Sequence, residues 1–185
     1  MDNWFAIYID GAKLMEDSIP YQTERSFNAE RITFSTDLPV TIAFELRDYM
    51  ENNSGLEYIG TRKQQMGDGG AIFQFRDQTG HLLGASAAGW RCKVVQHAPA
   101  NPSCANERNP VAGVGACMAE AEVSPANWAA PGFNDASWQD TRVYSAREVG
   151  PKDGYDMISW DRSAELIWGP SLKQDNIVLC RGVLQ

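Results

Sequence analysis

The chain has 185 residues, 43% hydrophobic and 22% charged, the balance of one ordinary globular domain spanning 1–185. A domain of this length buries about two thirds of the surface its unfolded chain exposes. Its net charge of −8 excludes nucleic acid as a partner, because neutralising phosphates takes clustered Lys and Arg, and no apolar run approaches the length of a membrane span.

Strand chemistry begins almost at once, at Trp4–Ile9, so no signal peptide is expected within these residues; Met1 is either a native start or stands where a leader has been removed, and the cysteines favour the second. Asp10-Gly11 then turns the chain into Ala12-Lys-Leu-Met15, a hairpin signal. Residues 16–29 are polar and irregular. Arg31–Phe34 has strand chemistry, and so does Val40–Leu46, where Ile42, Phe44 and Leu46 share one face and Thr41, Ala43 and Glu45 the other. Further strands are expected at Ala71–Arg76, Trp90–Val95, Cys117–Val123, Arg142–Ser145 and Ile177–Arg181. Helix is confined to short turns, one in each of residues 12–17 and 160–166. Short runs of Thr, Val, Ile and aromatic residues between turns predict an all-β sandwich.

The longest interruption is the loop 48–70. Loops of that length without evident internal structure are functional or disordered, and Tyr49, Leu56 and Tyr58 argue for order. Asp48, Glu51-Asn-Asn53, Glu57 and Asp68-Gly-Gly70 concentrate hard oxygen ligands among glycines that permit tight wrapping, so calcium is the expected cation, with Asp48, Glu57 and Asp68 as ligands. The Asp-x-Asp-x-Asp-Gly order of an EF-hand is absent. Asn52-Asn-Ser54 is a formal glycosylation acceptor. The same loop carries the ingredients of a sugar site: flat rings for pyranose C–H groups, and planar amides, carboxylates or guanidinium groups for hydroxyls. These are Tyr49, Tyr58, Glu57, Arg62, Gln64 and Gln65, with Tyr155 and Trp160 as a second platform.

The four cysteines are an even set without CxxC metal spacing in a Pro-, Asn- and Gly-rich context, which favours disulfides and a secreted, extracellular or periplasmic chain over reduced, buried thiols. Three connectivities are open. Cys104–Cys117 would staple a short loop, and Cys92–Cys180 would join two strand-like runs, so these pairs are predicted.

Trp128-Ala-Ala-Pro-Gly-Phe-Asn-Asp-Ala-Ser-Trp138 is a turn built to bury rings. Pro131-Gly132 reverses the chain, and Asn134, Asp135 and Ser137 offer short side chains to local amides. It is expected to pin a loop across the end of a sandwich. Phe133-Asn-Asp-Ala-Ser-Trp138 resembles the Phe-Asp-Asp-Ser-Ser-Trp turn of galactose-binding-like jelly-roll domains, with Asn134 and Ala136 departing from it. Asp175–Arg181 resembles the closing strand of those domains, and Ala164–Gly169 extends the likeness over the C-terminal third. The resemblance implies a jelly-roll β-sandwich, adds weight to one structural calcium, and points to a carbohydrate-binding or accessory module. The superfamily also hosts protein-binding modules, so the likeness does not choose a ligand.

Catalytic signals are weak. His81 and His97 are the two histidines, no Gly-x-Ser-x-Gly elbow occurs, and their spacing matches no zinc pattern. No spacing singles out a carboxylate pair for glycoside hydrolysis among the 24 acids. The reading is a non-catalytic binding module for carbohydrate or a cell-surface polymer. A structural or protein-interaction domain is the first alternative, and a metal-dependent enzyme the second.

Overall fold

Alternation within the longest apolar strands decides the architecture, because it gives the central sheet two faces that both need covering. The computed structural model describes residues 1–21 and 27–185. Its strands are β1 (Trp4–Ile9), β2 (Ala12–Glu16), β3 (Val40–Arg47), β4 (Leu56–Glu57), β5 (Gln65–Met66), β6 (Gln74–Arg76), β7 (Leu82–Ala85), β8 (Arg91–His97), β9 (Glu120–Ala121), β10 (Gln139–Asp140), β11 (Arg142–Tyr144), β12 (Leu166–Trp168) and β13 (Asp175–Leu184). A seven-stranded antiparallel sheet runs β10-β8-β13-β3-β1-β2, with β9 also paired to β8. Three two-stranded ribbons accompany it: β4-β5, β6-β7 and β11-β12.

On one face Ile7, Ile42, Phe44, Leu46, Val178 and Cys180 form the main core with Ile72, Leu166, Ile167 and Trp168 from the ribbon layer opposite. The ribbons β6-β7 and β11-β12 are linked through the bridge Ala71–Ile167. On the other face Ala43, Val95 and Leu179 lie beneath Trp128, Ala129 and Trp138. The aromatic knot therefore covers a sheet face instead of closing a sandwich end. Its rings interlock, with Trp128 6.2 Å from Trp138 and 5.3 Å from Tyr8. Arg181 fastens it: the guanidinium donates to the carbonyls of Phe133 (2.9 Å) and Ala130 (2.8 Å) and to Asp135 Oδ2 (2.7 Å).

The expected strands at Phe5–Ile9, Val40–Leu46, Trp90–Val95 and Ile177–Arg181 coincide with β1, β3, β8 and β13, apart from Trp90, which lies just before β8. Ala71–Arg76 is strand only from Gln74, and Cys117–Val123 only over Glu120–Ala121. Arg31–Phe34 joins no ladder, although Ile32 and Phe34 pack against the main core. Of the polar segment 16–29, residues 22–26 lie outside the described residues.

The two helical turns fall elsewhere than expected. Residues 12–16 form β2, because Asp10 (φ 47°) and Gly11 (φ 87°) reverse the chain into an antiparallel partner of β1. At 160–166, Asp161 accepts from the Ser163 amide (3.0 Å) in a tight turn that leads into β12. Helical turns occur instead at Pro102–Asn106, Gly115–Cys117 and Asp153–Met157, and at α1 (Ala146–Val149). Ser145 and Glu148 close a capping box on α1, and Gly150 ends it at φ 65°.

Both disulfides are as predicted. Cys92 and Cys180 face each other across β8 and β13 with Cα atoms 4.2 Å apart, and Cys104 pairs with Cys117 at 5.0 Å. Among the described residues no helix is long and apolar enough to cross a membrane.

Candidate metal centre

The loop 48–70 is ordered by its own backbone and by two neighbours. As the chain leaves β3, the Asp48 amide donates to the Asn176 carbonyl (2.9 Å) and the Tyr49 amide to Asn3 Oδ1 (2.6 Å). Asn52 accepts from the Ser54 amide, and Glu51 donates to the Leu56 carbonyl, which closes a tight bend into β4. In the β4-β5 hairpin Glu57 stands opposite Gln65. Leu56, Ile59 and Met66 of this hairpin pack on the Cys104–Cys117 bridge. The Gln64 amide spans the contact, donating to the carbonyls of Ala105 and Glu107, both at 2.9 Å.

The return segment Gly67-Asp68-Gly69-Gly70 threads through space that no side chain could share. A Cβ on Gly67 would lie 1.6 Å from Asp48 Oδ2, and one on Gly69 would lie 2.3 Å from Trp168 Cε2. The glycines let the backbone carrying Asp68 close directly over the Asp48 carboxylate.

These segments bring Asp48, Glu57 and Asp68 together, with one carboxylate oxygen from each inside a sphere where all lie within 4.8 Å of one another. Asp48 is fully buried, Glu57 is buried and Asp68 half-buried. Glu57 Oε2 accepts from Gln65 Nε2 (3.1 Å). Among the described residues neither oxygen of Asp48 makes a well-formed hydrogen bond, although the Asp68 amide lies close to it. Burial pushes the Asp48 carboxyl well above the usual carboxylate range, and the charges of Asp2, Glu57 and Asp68 push it further, with the nearby Asp68 amide offsetting only part of the rise. At an effective dielectric of ~20, unit charges at such spacing repel by about 3 kcal/mol per pair. The cluster thus holds either protons or a cation. Buried carboxylate oxygens without nitrogen or sulfur donors suit a hard divalent ion, and calcium best accepts several carboxylates at once.

Asp2 gave no sequence signal and belongs to this neighbourhood. It is almost fully buried, and burial followed by the Asp68 charge raises its carboxyl well above the usual range.

The expected sugar-binding residues are dispersed. Tyr49 packs on Tyr21 (6.1 Å between centroids), and Tyr58 is half-buried with Lys63 Nζ 5.7 Å from its ring. Glu57, Gln64 and Gln65 are engaged as described, and Arg62 is exposed on the hairpin, as is the rest of Gln65. Tyr155 stacks on Trp160 (6.0 Å) and meets Phe27 edge-on (6.2 Å), and both rings of the stack pack against the main core. Trp90, Trp138 and Trp168 are buried, as structural residues should be.

A second feature escaped the sequence. A groove of about 950 Å³ runs along β8 beside β9 and β10, lined by His97, Lys93, Gln139 and Arg142 among others. At its end His97 Nδ1 lies 2.7 Å from Asp175 Oδ1, and Asp175 Oδ2 accepts from the Ser171 amide (2.7 Å). His81 is exposed past its turn. The partners His97 and Asp175 are 78 residues apart, a separation no local motif reveals.

No protein-family model, curated protein or solved structure matches the chain.

Proposed function

We propose that this chain is a secreted, calcium-stabilised, non-catalytic binding module, a jelly-roll β-sandwich of galactose-binding-like type whose ligand is carbohydrate or a cell-surface polymer. One observation carries the calcium reading: the fully buried Asp48 carboxylate, without a well-formed hydrogen bond among the described residues, facing oxygens of Glu57 and Asp68. An uncompensated buried carboxylate costs several kcal/mol, roughly, and a coordinated cation removes that cost. Two disulfides support an oxidising compartment.

The cation would fix the β4-β5 hairpin, and that hairpin carries the exposed Arg62 and the half-buried Tyr58. A rigid hairpin carrying an aromatic ring and a planar guanidinium suits a pyranose, because little ordering entropy remains to be lost on binding. A glycan array read in calcium and in chelator tests this reading. Binding is expected in calcium, with loss in chelator and in Tyr58→Ala, and a melting temperature nearly unchanged in that variant. Absence of any glycan signal from folded, calcium-loaded protein would overturn the carbohydrate assignment.

A further inference from the structure

We infer that Asp2 is a fourth carboxylate ligand of the centre, so that the ion is a four-carboxylate calcium clasp joining the N-terminal segment to the loop 48–70, with selection against magnesium. This rests on the calcium reading above and extends it to a part of the chain that reading did not use.

The argument begins with the backbone. The Asp2 amide donates to the Gly70 carbonyl (3.0 Å) in an isolated bridge, and the Asn3 amide donates to the Arg47 carbonyl (3.0 Å). Asn3 Oδ1 in turn accepts from the Tyr49 amide (2.6 Å). Residues 2 and 3 are therefore laced between the strand end that delivers Asp48 and the glycine segment that delivers Asp68. Nothing in that lacing requires an acid at position 2, since every bond in it is made by backbone or by Asn3.

Yet the side chain placed there is a carboxyl, 1% exposed, with Oδ1 lacking any partner. The backbone bridge to Gly70 sets it within two residues of Asp68 along the facing segment, and the Asp68 carboxyl raises its pKa as its own charge raises that of Asp48. Two carboxyls in that relation need a shared proton or a shared cation. Asp48 stands next to them with neither oxygen in a well-formed hydrogen bond. The buried Asp48 carboxylate and the unpartnered Oδ1 of the buried Asp2 stand with Asp68, Asp2 lying beside the group whose oxygens, from Asp48, Glu57 and Asp68, are within 4.8 Å of one another, and together they form a receptor and not a solvated acidic face.

The number and burial of the acids also choose the ion. Four carboxylates offer up to eight oxygens, which matches the six to eight ligands calcium takes at about 2.3–2.6 Å in flexible geometry. Magnesium demands a near-ideal octahedron at about 2.0–2.1 Å and keeps several of its waters. Backbone closing over Asp48 at Gly67 leaves little room for such a hydrated ion.

Calorimetric titration of the intact protein with calcium alone, then with magnesium alone, tests the clasp. Asp2→Asn keeps shape and removes the ligand charge. The expected result is one calcium per chain in the wild type, an affinity for magnesium lower by about a hundredfold, and a loss of calcium affinity of about tenfold to a hundredfold or more in Asp2→Asn. The melting temperature of Asp2→Asn without calcium is expected to equal or exceed that of the wild type, because a neutral isostere removes a buried charge. That pairing of weaker binding with undiminished ion-free stability is what a merely structural Asp2 would not give.

Wild-type calcium affinity in Asp2→Asn would overturn the fourth ligand and leave a three-ligand site standing. Equal affinity for magnesium would overturn the clasp geometry. No calcium binding by folded wild type would overturn both the clasp and the reading beneath it. Amide exchange at Asp2 and Asn3 gives a second readout should Asp2→Asn misfold. In the wild type calcium is expected to slow it, and exchange indifferent to calcium would count against the clasp.

Discussion

Stripping the cation from the centre, by chelator or by Asp48→Asn, has consequences that can be worked from the geometry. Three carboxylates with oxygens within 4.8 Å cannot all stay ionised and dry, since each pair costs about 3 kcal/mol at an effective dielectric of ~20. A calcium ion present at a hundredfold excess over its dissociation constant would stabilise the fold by about 2.7 kcal/mol. For a domain of this size that is a melting-temperature rise of ~5–10 °C, at about 2–4 °C per kcal/mol.

The pH dependence supplies the decisive sign. Burial first, and neighbouring acids second, raise the folded-state pKa of Asp48 and Asp2. Ion-free protein therefore holds protons there more tightly than the unfolded chain does, and loses stability as pH climbs above the unfolded value of about 4. Calcium binds the deprotonated centre, so the gap in melting temperature between calcium and chelator should widen between about pH 5 and about pH 7.5. Asp48→Asn should abolish the gap, and its ion-free form should melt no lower than ion-free wild type. Scanning calorimetry at the two pH values reads all of this. Curves indifferent to both chelator and Asp48→Asn, or a gap that is the same at both pH values, would refute the reasoning.

Other consequences are simpler. Mass spectrometry under denaturing, non-reducing conditions should find no free thiol. Replacing both members of the Cys92–Cys180 pair by serine should cost about 4–5 kcal/mol by loop entropy, and of the Cys104–Cys117 pair about 3 kcal/mol, the latter also weakening calcium binding through the hairpin it underlies. Arg181→Met should destabilise by about 2–3 kcal/mol in chemical denaturation, because Asp135 and two carbonyls of the aromatic knot lose their charged donor; a change within experimental error would mean the knot holds by ring burial alone. Asp175→Ala should cost about 1–3 kcal/mol in the same assay while leaving calcium affinity untouched.

What could be read from sequence was whatever the chain writes locally. Alternation in Val40–Leu46 gave the two faces of β3 correctly, and the acids of the loop 48–70 with their glycines marked the three residues that the fold does bring together. Asp10-Gly11 announced its hairpin, and the helical turn expected at residues 12–17 erred by letting weak local propensity outweigh that turn. Ser145-Ala-Arg-Glu148 is a capping box, so α1 was legible and was overlooked. Arg31–Phe34 shows the converse limit, since strand chemistry cannot say whether a partner strand will be present. Asp2 lies 46 residues from Asp48, and His97 lies 78 from Asp175. Such pairings exist only once the sheet has formed, and no spacing rule reaches them.

Two buried acids in this one fold have opposite surroundings. Asp175 is 3% exposed, and both of its oxygens are used, one by His97 Nδ1 and one by the Ser171 amide, while its carbonyl accepts from Trp168 Nε1 (2.8 Å). Room is even made for it, since a Cβ on Gly169 would stand 2.6 Å from its Oδ2. Asp175 is thus a buried acid surrounded by donors. Asp48 is buried more completely, has a glycine cleared over it in the same way, and has Asp2, Glu57 and Asp68 for neighbours, whose charges the nearby Asp68 amide offsets only in part. With the carboxyls of Glu57 and Asp68 facing it, a multivalent cation from solution would relieve more repulsion than the protons that compete with it.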